Sequence, residues 1–176
     1  LVVAYAVFWL VFLRGLPSTD KLLSYEPPLP TNVRALDGTP VYSFARERRV
    51  ELAYDEYPPQ LVHAFISAED KDFFTHHGID PTSFLYAIFD YARKTGTGER
   101  ARGGSTITQQ VAKNLLLGNE YSPTRKVKEA ALAIRIEHAM SKQQILELYL
   151  NQIFLGRNAY GVEAAARAYF GKSVAE

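Results

Sequence analysis

The chain has 176 residues, 47% of them hydrophobic, which is enough for one domain with an appendage. A net charge of only +1 excludes nucleic acid as a partner recognised by bulk charge, so any electropositive site has to be local. With no cysteine, disulfides, zinc-thiolate sites and a thiol nucleophile are excluded too.

Position 1 is Leu rather than Met, and the run from Leu1 to Leu13 is apolar on every face and carries Trp9 before Arg14 interrupts it. A membrane span needs roughly 20 residues, so residues 1–16 read as the truncated remnant of a transmembrane signal-anchor. No small-x-small cleavage site follows it, which argues against a removed signal peptide. Residues 17–50 read as linker and ribbon. Pro17 to Pro30 is polar and proline-rich, closing on Pro27-Pro28 and Pro30, and is expected to be extended. Residues 33–36 and 41–44 flank Asp37-Gly38 as a β-hairpin. The charged run Arg46-Glu47-Arg48-Arg49 reads as a solvated strand end without a role.

Residues 51–176 read as a mainly α-helical domain. One helix starts at Pro58-Pro59, with Leu61, Ala64, Phe65 and Ala68 on its apolar face. Asp80-Pro81 reads as an N-cap and first helical residue, opening a helix whose stripe is Phe84, Leu85, Ile88 and Phe89. Thr95-Gly96-Thr97-Gly98, flanked by Arg93, Lys94, Arg100 and Arg102, breaks it as the most mobile loop. Ser122-Pro123 starts a helix to about Met140. Ser141 caps the next, with Gln144 at capping-box distance, and an alanine-rich helix from Gly161 to Phe170 ends at Gly171.

The stretch from Gly103 to Asn114 is the first with chemical content. A glycine pair leads into a helix start rich in hydroxyls, with Thr106 and Gln109 at capping-box spacing, so backbone N–H groups converge where an anion would sit. Lys113 falls two turns on and would close over it. Glu69, at a helix end beside Phe73 and Phe74, is expected to be partly desolvated and hence a better proton acceptor near neutral pH. His76 is expected to serve in structural hydrogen bonds rather than as a metal ligand. Arg125, Lys126 and Lys128 occupy a helix first turn, where the macrodipole disfavours cations, so a bound polyanion such as pyrophosphate would compensate them. Glu129, one turn on, suits pairing with those cations or holding a divalent metal against a phosphate. Two carboxylates and a cationic pocket on a membrane-tethered helical domain point to glycosyl transfer from a lipid pyrophosphate.

These residues resemble the family 51 glycosyltransferases, the peptidoglycan polymerase domains found in class A penicillin-binding proteins and in monofunctional transglycosylases. Glu69-Asp70 with Phe73, His76 and Gly78 matches the first family motif. Gly104 to Gln110 with Lys113-Asn114 matches the second, and Arg125-Lys126 with Lys128-Glu129 the third. Lys142, Ile145-Leu146-Glu147, Tyr149-Leu150-Asn151, Gly156, Gly161 and Tyr169-Phe170-Gly171-Lys172 match the remaining two. The resemblance implies a lysozyme-like helical fold with a membrane-embedded jaw around residues 95–102. It implies that Glu69 is the general base toward the 4-hydroxyl of the acceptor N-acetylglucosamine of lipid II, and that the glycan on undecaprenyl pyrophosphate is attacked with inversion to give a β-1,4 bond. Glu129, Lys113, Arg125 and Lys126 would support the pyrophosphate, with Mg2+ or Mn2+ assisting. Ser105, Thr106, Gln109, Gln110 and Asn114 would shape the donor side, and Glu147, Tyr149 and Asn151 would brace the cleft. A bacterial cytoplasmic membrane location with the catalytic domain outside the cytoplasm follows, as do partners among cell-wall synthesis proteins.

The sequence departs from the family at Tyr121, where many members carry a diphosphate-binding arginine; either reduced donor affinity or rescue by Arg100 or Arg102 is expected to follow. No Ser-x-x-Lys acylation motif is present, so no penicillin binding is expected of residues 1–176. Two other readings share these residues: a lysozyme-like enzyme that cleaves glycan, and a non-catalytic membrane scaffold that binds lipid II.

Overall fold

A computed structural model of the chain describes residues 13–23, 25, 31–44, 48–94, 103–117 and 123–176. It is mainly helical. Helix α1 (Asp20–Leu23) precedes an antiparallel ribbon of β1 (Thr31–Arg34) and β2 (Pro40–Phe44). The short strand β3 (Arg48–Arg49) and a 3-10 turn (Tyr54–Glu56) lead into α2 (Pro59–Glu69) and α3 (Pro81–Lys94). Helix α4 (Ile107–Ala112) runs on into a π-helical turn (Lys113–Leu117). Then come α5 (Pro123–Ala139), α6 (Lys142–Gln152), β4 (Ala159–Tyr160) and α7 (Val162–Phe170).

The core lies where α4, α5 and α6 meet. Ile107, Leu132, Ile136, Ile145, Leu146 and Leu150 are completely buried there. Each such side chain contributes about 1.5–3 kcal/mol by leaving water, so the short α4 is held chiefly by its packing. Local chemistry sets the ends. Ser141 accepts a hydrogen bond from the Gln144 N–H while Gln144 reaches back to the Ser141 N–H, as the spacing requires. Asp80 Oδ1 accepts from the backbone of Thr82 and Ser83 at the start of α3. Gly171 takes the left-handed conformation that ends α7.

Three expectations shift. The buried face of α2 is Val62 and Ile66, with Leu61 and Phe65 partly covered, whereas Ala64 and Ala68 are exposed. The apolar stripe is therefore rotated by one position. Of the α3 stripe, Leu85 and Phe89 are exposed, together with Tyr86. The segment after Arg14 is not simply an extended linker, because α1 forms there and Leu22 is buried in the main core with Leu16 packed against it. The ribbon matches its hairpin signal around Asp37-Gly38, and its Val33, Leu36 and Val41 are exposed. Of residues 1–16, only 13–16 are described; among the described residues no helix is long and apolar enough to cross a membrane. The loop at residues 95–102, with Arg100 and Arg102, and Tyr121 lie outside the described residues, as do Pro27-Pro28, Pro30, Arg46 and Glu47.

Candidate active site

Glu69 and Asp70 end α2 and face different surroundings. Asp70 is buried and accepts from His76 Nε2 at 2.9 Å and from the Ile107 backbone N–H at 2.9 Å. His76 Nδ1 accepts from the Gly78 N–H at 3.1 Å, so its proton sits on Nε2 and is donated to Asp70. The histidine is thus structural, as expected. Gly78 is the tightest point of this joint: at φ +90° its backbone lies so close to α5 that an added Cβ would be 2.7 Å from the Ala133 carbonyl carbon. Its carbonyl accepts from Thr106 Oγ1 at 2.7 Å.

These bonds correct the anion site expected at the start of α4. The Ile107 N–H is already taken by the Asp70 carboxylate, the Gln109 N–H by Thr106 Oγ1, and the Thr106 N–H by Gln109 Oε1. An anion of the protein's own caps this helix. Thr106 and Gln109 are buried and spend their side chains on the capping box, so what they supply is the position of α4. Thr108 belongs to the same buried layer: it donates to Glu137, which also holds Lys142, and Lys142 reaches the His76 carbonyl at 2.7 Å.

Glu69 is exposed, not desolvated as expected, because its Phe73 neighbour turns into the core while Phe74 points outward. One carboxylate oxygen accepts from Gln110 Nε2 at 2.9 Å. Gln110 lies one helical turn before Lys113, about 5 Å along the axis. Lys113 opens the π-helical turn, and among the described residues its ammonium has no partner; the same holds for Lys128 on α5.

Arg125 and Lys126 are engaged by the chain itself. Arg125 Nε lies 3.0 Å from Glu129 Oε1, while Lys126 Nζ donates to Glu129 Oε2 at 2.9 Å and to Ser105 Oγ at 2.6 Å. The compensation expected from a bound polyanion comes in part from Glu129, which is buried. Its Oε1 sits at ion-pair distance from Arg125 but makes no hydrogen bond. Among the described residues no three His, Asp or Glu side chains cluster, and both oxygens of Glu129 face cations.

The brace residues are found at the far side of α6. Asn151 accepts from the Leu52 N–H and from Tyr57 Oη, and donates to the Leu52 carbonyl. Glu147 accepts from the Tyr54 N–H at 2.9 Å. Both therefore fix the segment that leads into α2. Burial, then the nearby Glu147 carboxylate, pushes the Tyr57 hydroxyl above the ordinary phenol range, which keeps it a donor to Asn151. Tyr149 is also pushed up, by burial and then by Glu69 and Asp70. Asn114 is exposed beside Lys113. Sequence reasoning missed Arg49 and Gln152. They meet across more than a hundred residues, with Arg49 stacked 4.5 Å from the Tyr160 ring centre, and no local pattern marks such a pair.

Residues 37–176 match the family model described as Transglycosylase. Penicillin-binding protein 1A of Rickettsia felis is 46% identical over 175 residues, covering 99% of this chain and 22% of the relative. Those of Aquifex aeolicus and Escherichia coli are 44% and 43% identical over 180 and 159 residues, covering 24% and 18% of their own lengths. The chain therefore spans about a fifth of the length of these relatives.

Proposed function

The chain belongs to the transglycosylase family, and we propose that it is a peptidoglycan glycosyltransferase domain that polymerises lipid II into β-1,4-linked glycan. The observation that carries this reading is the pair of links made by one short helix: Gln110 of α4 holds Glu69 at 2.9 Å, and Lys113 directly after α4 offers an unpartnered ammonium among the described residues. Glu69 would take the proton from the acceptor's 4-hydroxyl, and that oxygen would attack the anomeric carbon of the glycan donor from the opposite side. The bond to undecaprenyl pyrophosphate breaks, its electron pair leaving with the diphosphate, and configuration inverts. Lys113 and Lys128 would take up the leaving charge, with Arg125 and Lys126 aligned behind them by Glu129. Ser105, Gln110 and Asn114 would border the donor.

A buried Asp70 fixed to α4 supports a Glu69 whose position is set relative to those cations. Glu129 acts here as the electrostatic brace of Arg125 and Lys126, and the Mg2+ or Mn2+ expected from the resemblance would accompany the diphosphate without a protein-built site. A membrane anchor in residues 1–16, a catalytic domain facing the extracytoplasmic side and cell-wall synthesis partners complete the reading. Incubating the protein with labelled lipid II and a divalent ion tests it. New glycan polymer with release of undecaprenyl pyrophosphate is expected. Shortening of pre-formed glycan without synthesis would replace this reading by a lytic one, and lipid II bound but unchanged would leave a scaffold.

A further inference from the structure

Glu137 lies in the last turn of α5 and Lys142 opens α6, and across the short connection between the two helices Lys142 Nζ is 2.7 Å from Glu137 Oε1. Each occupies the end of its own helix that the macrodipole disfavours, the anion in a last turn and the cation in a first. Both are largely buried, with side chains 6% and 20% exposed. An apolar pair would join α5 to α6 at least as well, so what the ion pair adds is direction.

That direction is given to the two elements that carry the proposed base and its hydrogen-bond partner. Lys142 Nζ donates to the His76 carbonyl at 2.7 Å and lies 4.4 Å from the centre of the Phe73 ring, which is completely buried. Both belong to the turn directly after Glu69, and the His76 ring returns to Asp70. Glu137 Oε1, the oxygen that holds Lys142, also accepts from Thr108 Oγ1 of α4 at 2.6 Å. The first turn of α4 is therefore pinned from two sides, at the Ile107 N–H by Asp70 and at Thr108 by Glu137. Gln110, about 3 Å further along the axis than Thr108, carries the one described hydrogen bond of Glu69. Where the Glu69 carboxylate points thus follows from how α4 is set against the turn that Lys142 grips.

We propose that Lys142 and Glu137 are positioning residues for glycosyl transfer: together they hold the end of α2 and the start of α4 at the spacing that the Glu69 to Gln110 bond needs, and so aim the base at the acceptor hydroxyl. The proposal rests on the glycosyltransferase reading, with Glu69 as proton acceptor. Neither residue touches substrate or the reacting atoms. Their substitution costs stability, as it does elsewhere in this joint, and in addition slows the molecules that remain folded.

The test is a double-mutant cycle on lipid II turnover, with rates taken per folded molecule at a temperature where unfolding curves show every variant intact. Lys142→Met keeps the contact with Phe73 but strands the Glu137 carboxylate, so the cycle is repeated with Lys142→Met combined with Glu137→Gln, which removes both charges and leaves Thr108 an acceptor. In either form kcat is expected to fall about tenfold with KM held within about twofold, because the base is misaimed while the substrate's own contacts stay. In a Gln110→Ala background the same changes are expected to cost less than about threefold, since the bond they align is already gone. An unchanged kcat, or the full tenfold loss in both backgrounds, would overturn the proposal. A second readout needs no turnover: the side-chain amide resonances of Gln110 in the substrate-free protein are expected to move in Lys142→Met, and fixed resonances would overturn the proposal as well. Absence of polymerisation by the wild type, with those resonances still moving, would instead overturn the glycosyltransferase reading beneath it.

Discussion

Two regions flank α4, and their polar groups are treated in opposite ways. At the helix start, Asp70, His76, Thr106 and Gln109 are engaged with one another and with backbone N–H groups, and Gly78 lets α5 close over them. At the helix end, Lys113 is half-buried and unpartnered among the described residues, and exposed Glu69 keeps a single described bond, to Gln110. A buried polar group left unmatched costs about 1–3 kcal/mol, so folding closes the first region completely. An accessible cation costs little to leave open and is what a substrate meets. Damage to the first region should therefore appear as lost stability, and damage to the second as lost turnover.

The largest loss of stability is expected from Gly78→Ala. The added methyl meets the Ala133 backbone at 2.7 Å and sits at a strained φ, costing about 4 kcal/mol in denaturant unfolding. An unchanged midpoint would show that the joint is looser than its geometry. Asn151→Leu should cost about 3 kcal/mol, since it strands the Leu52 N–H and carbonyl and the Tyr57 hydroxyl. Lys113→Ala sharpens the contrast from the other side: kcat/KM on lipid II is expected to fall about thirtyfold, roughly 2 kcal/mol, while unfolding stays within about 0.5 kcal/mol of wild type.

The smallest effect is expected at Asp80. Burial raises its carboxyl, but hydrogen bonds from Ser83 and Thr82 outweigh this and hold it down at about 2. Because the folded value lies below the unfolded one, its stabilisation is complete above about pH 4 and is lost as pH falls toward 2. Asp80→Ala should cost about 1 kcal/mol at neutral pH and progressively less across that window in unfolding measured from pH 6 to pH 2.

What the sequence made legible divides along the same line. The capping boxes at Thr106/Gln109 and Ser141/Gln144, the Asp80 cap and the Gly171 stop were readable because each is settled within three or four residues. The chemical identity of Glu69, Lys113 and the Arg125 to Glu129 group was readable from residue type and motif spacing. The filling of the α4 N-terminus was not, since Asp70 donates its charge from 37 residues away and an empty helix start looks the same in sequence as an occupied one. Arg49 was hidden for a similar reason. A two-residue strand paired in parallel with Ala159–Tyr160 has no periodicity to read, and a charged run looks solvated until its partner is known.

Neighbouring carboxylates on one helix end offer the sharpest comparison of the two regions. Glycan synthesis from lipid II and denaturant unfolding are measured together on Glu69→Gln and Asp70→Asn. Glu69→Gln is predicted to slow polymerisation by at least about 100-fold with its unfolding curve unchanged, whereas Asp70→Asn is predicted to lose stability first. Wild-type rates from Glu69→Gln would contradict the assignment of the proton acceptor and, with it, the division between a closed, structural region and an open, reactive one.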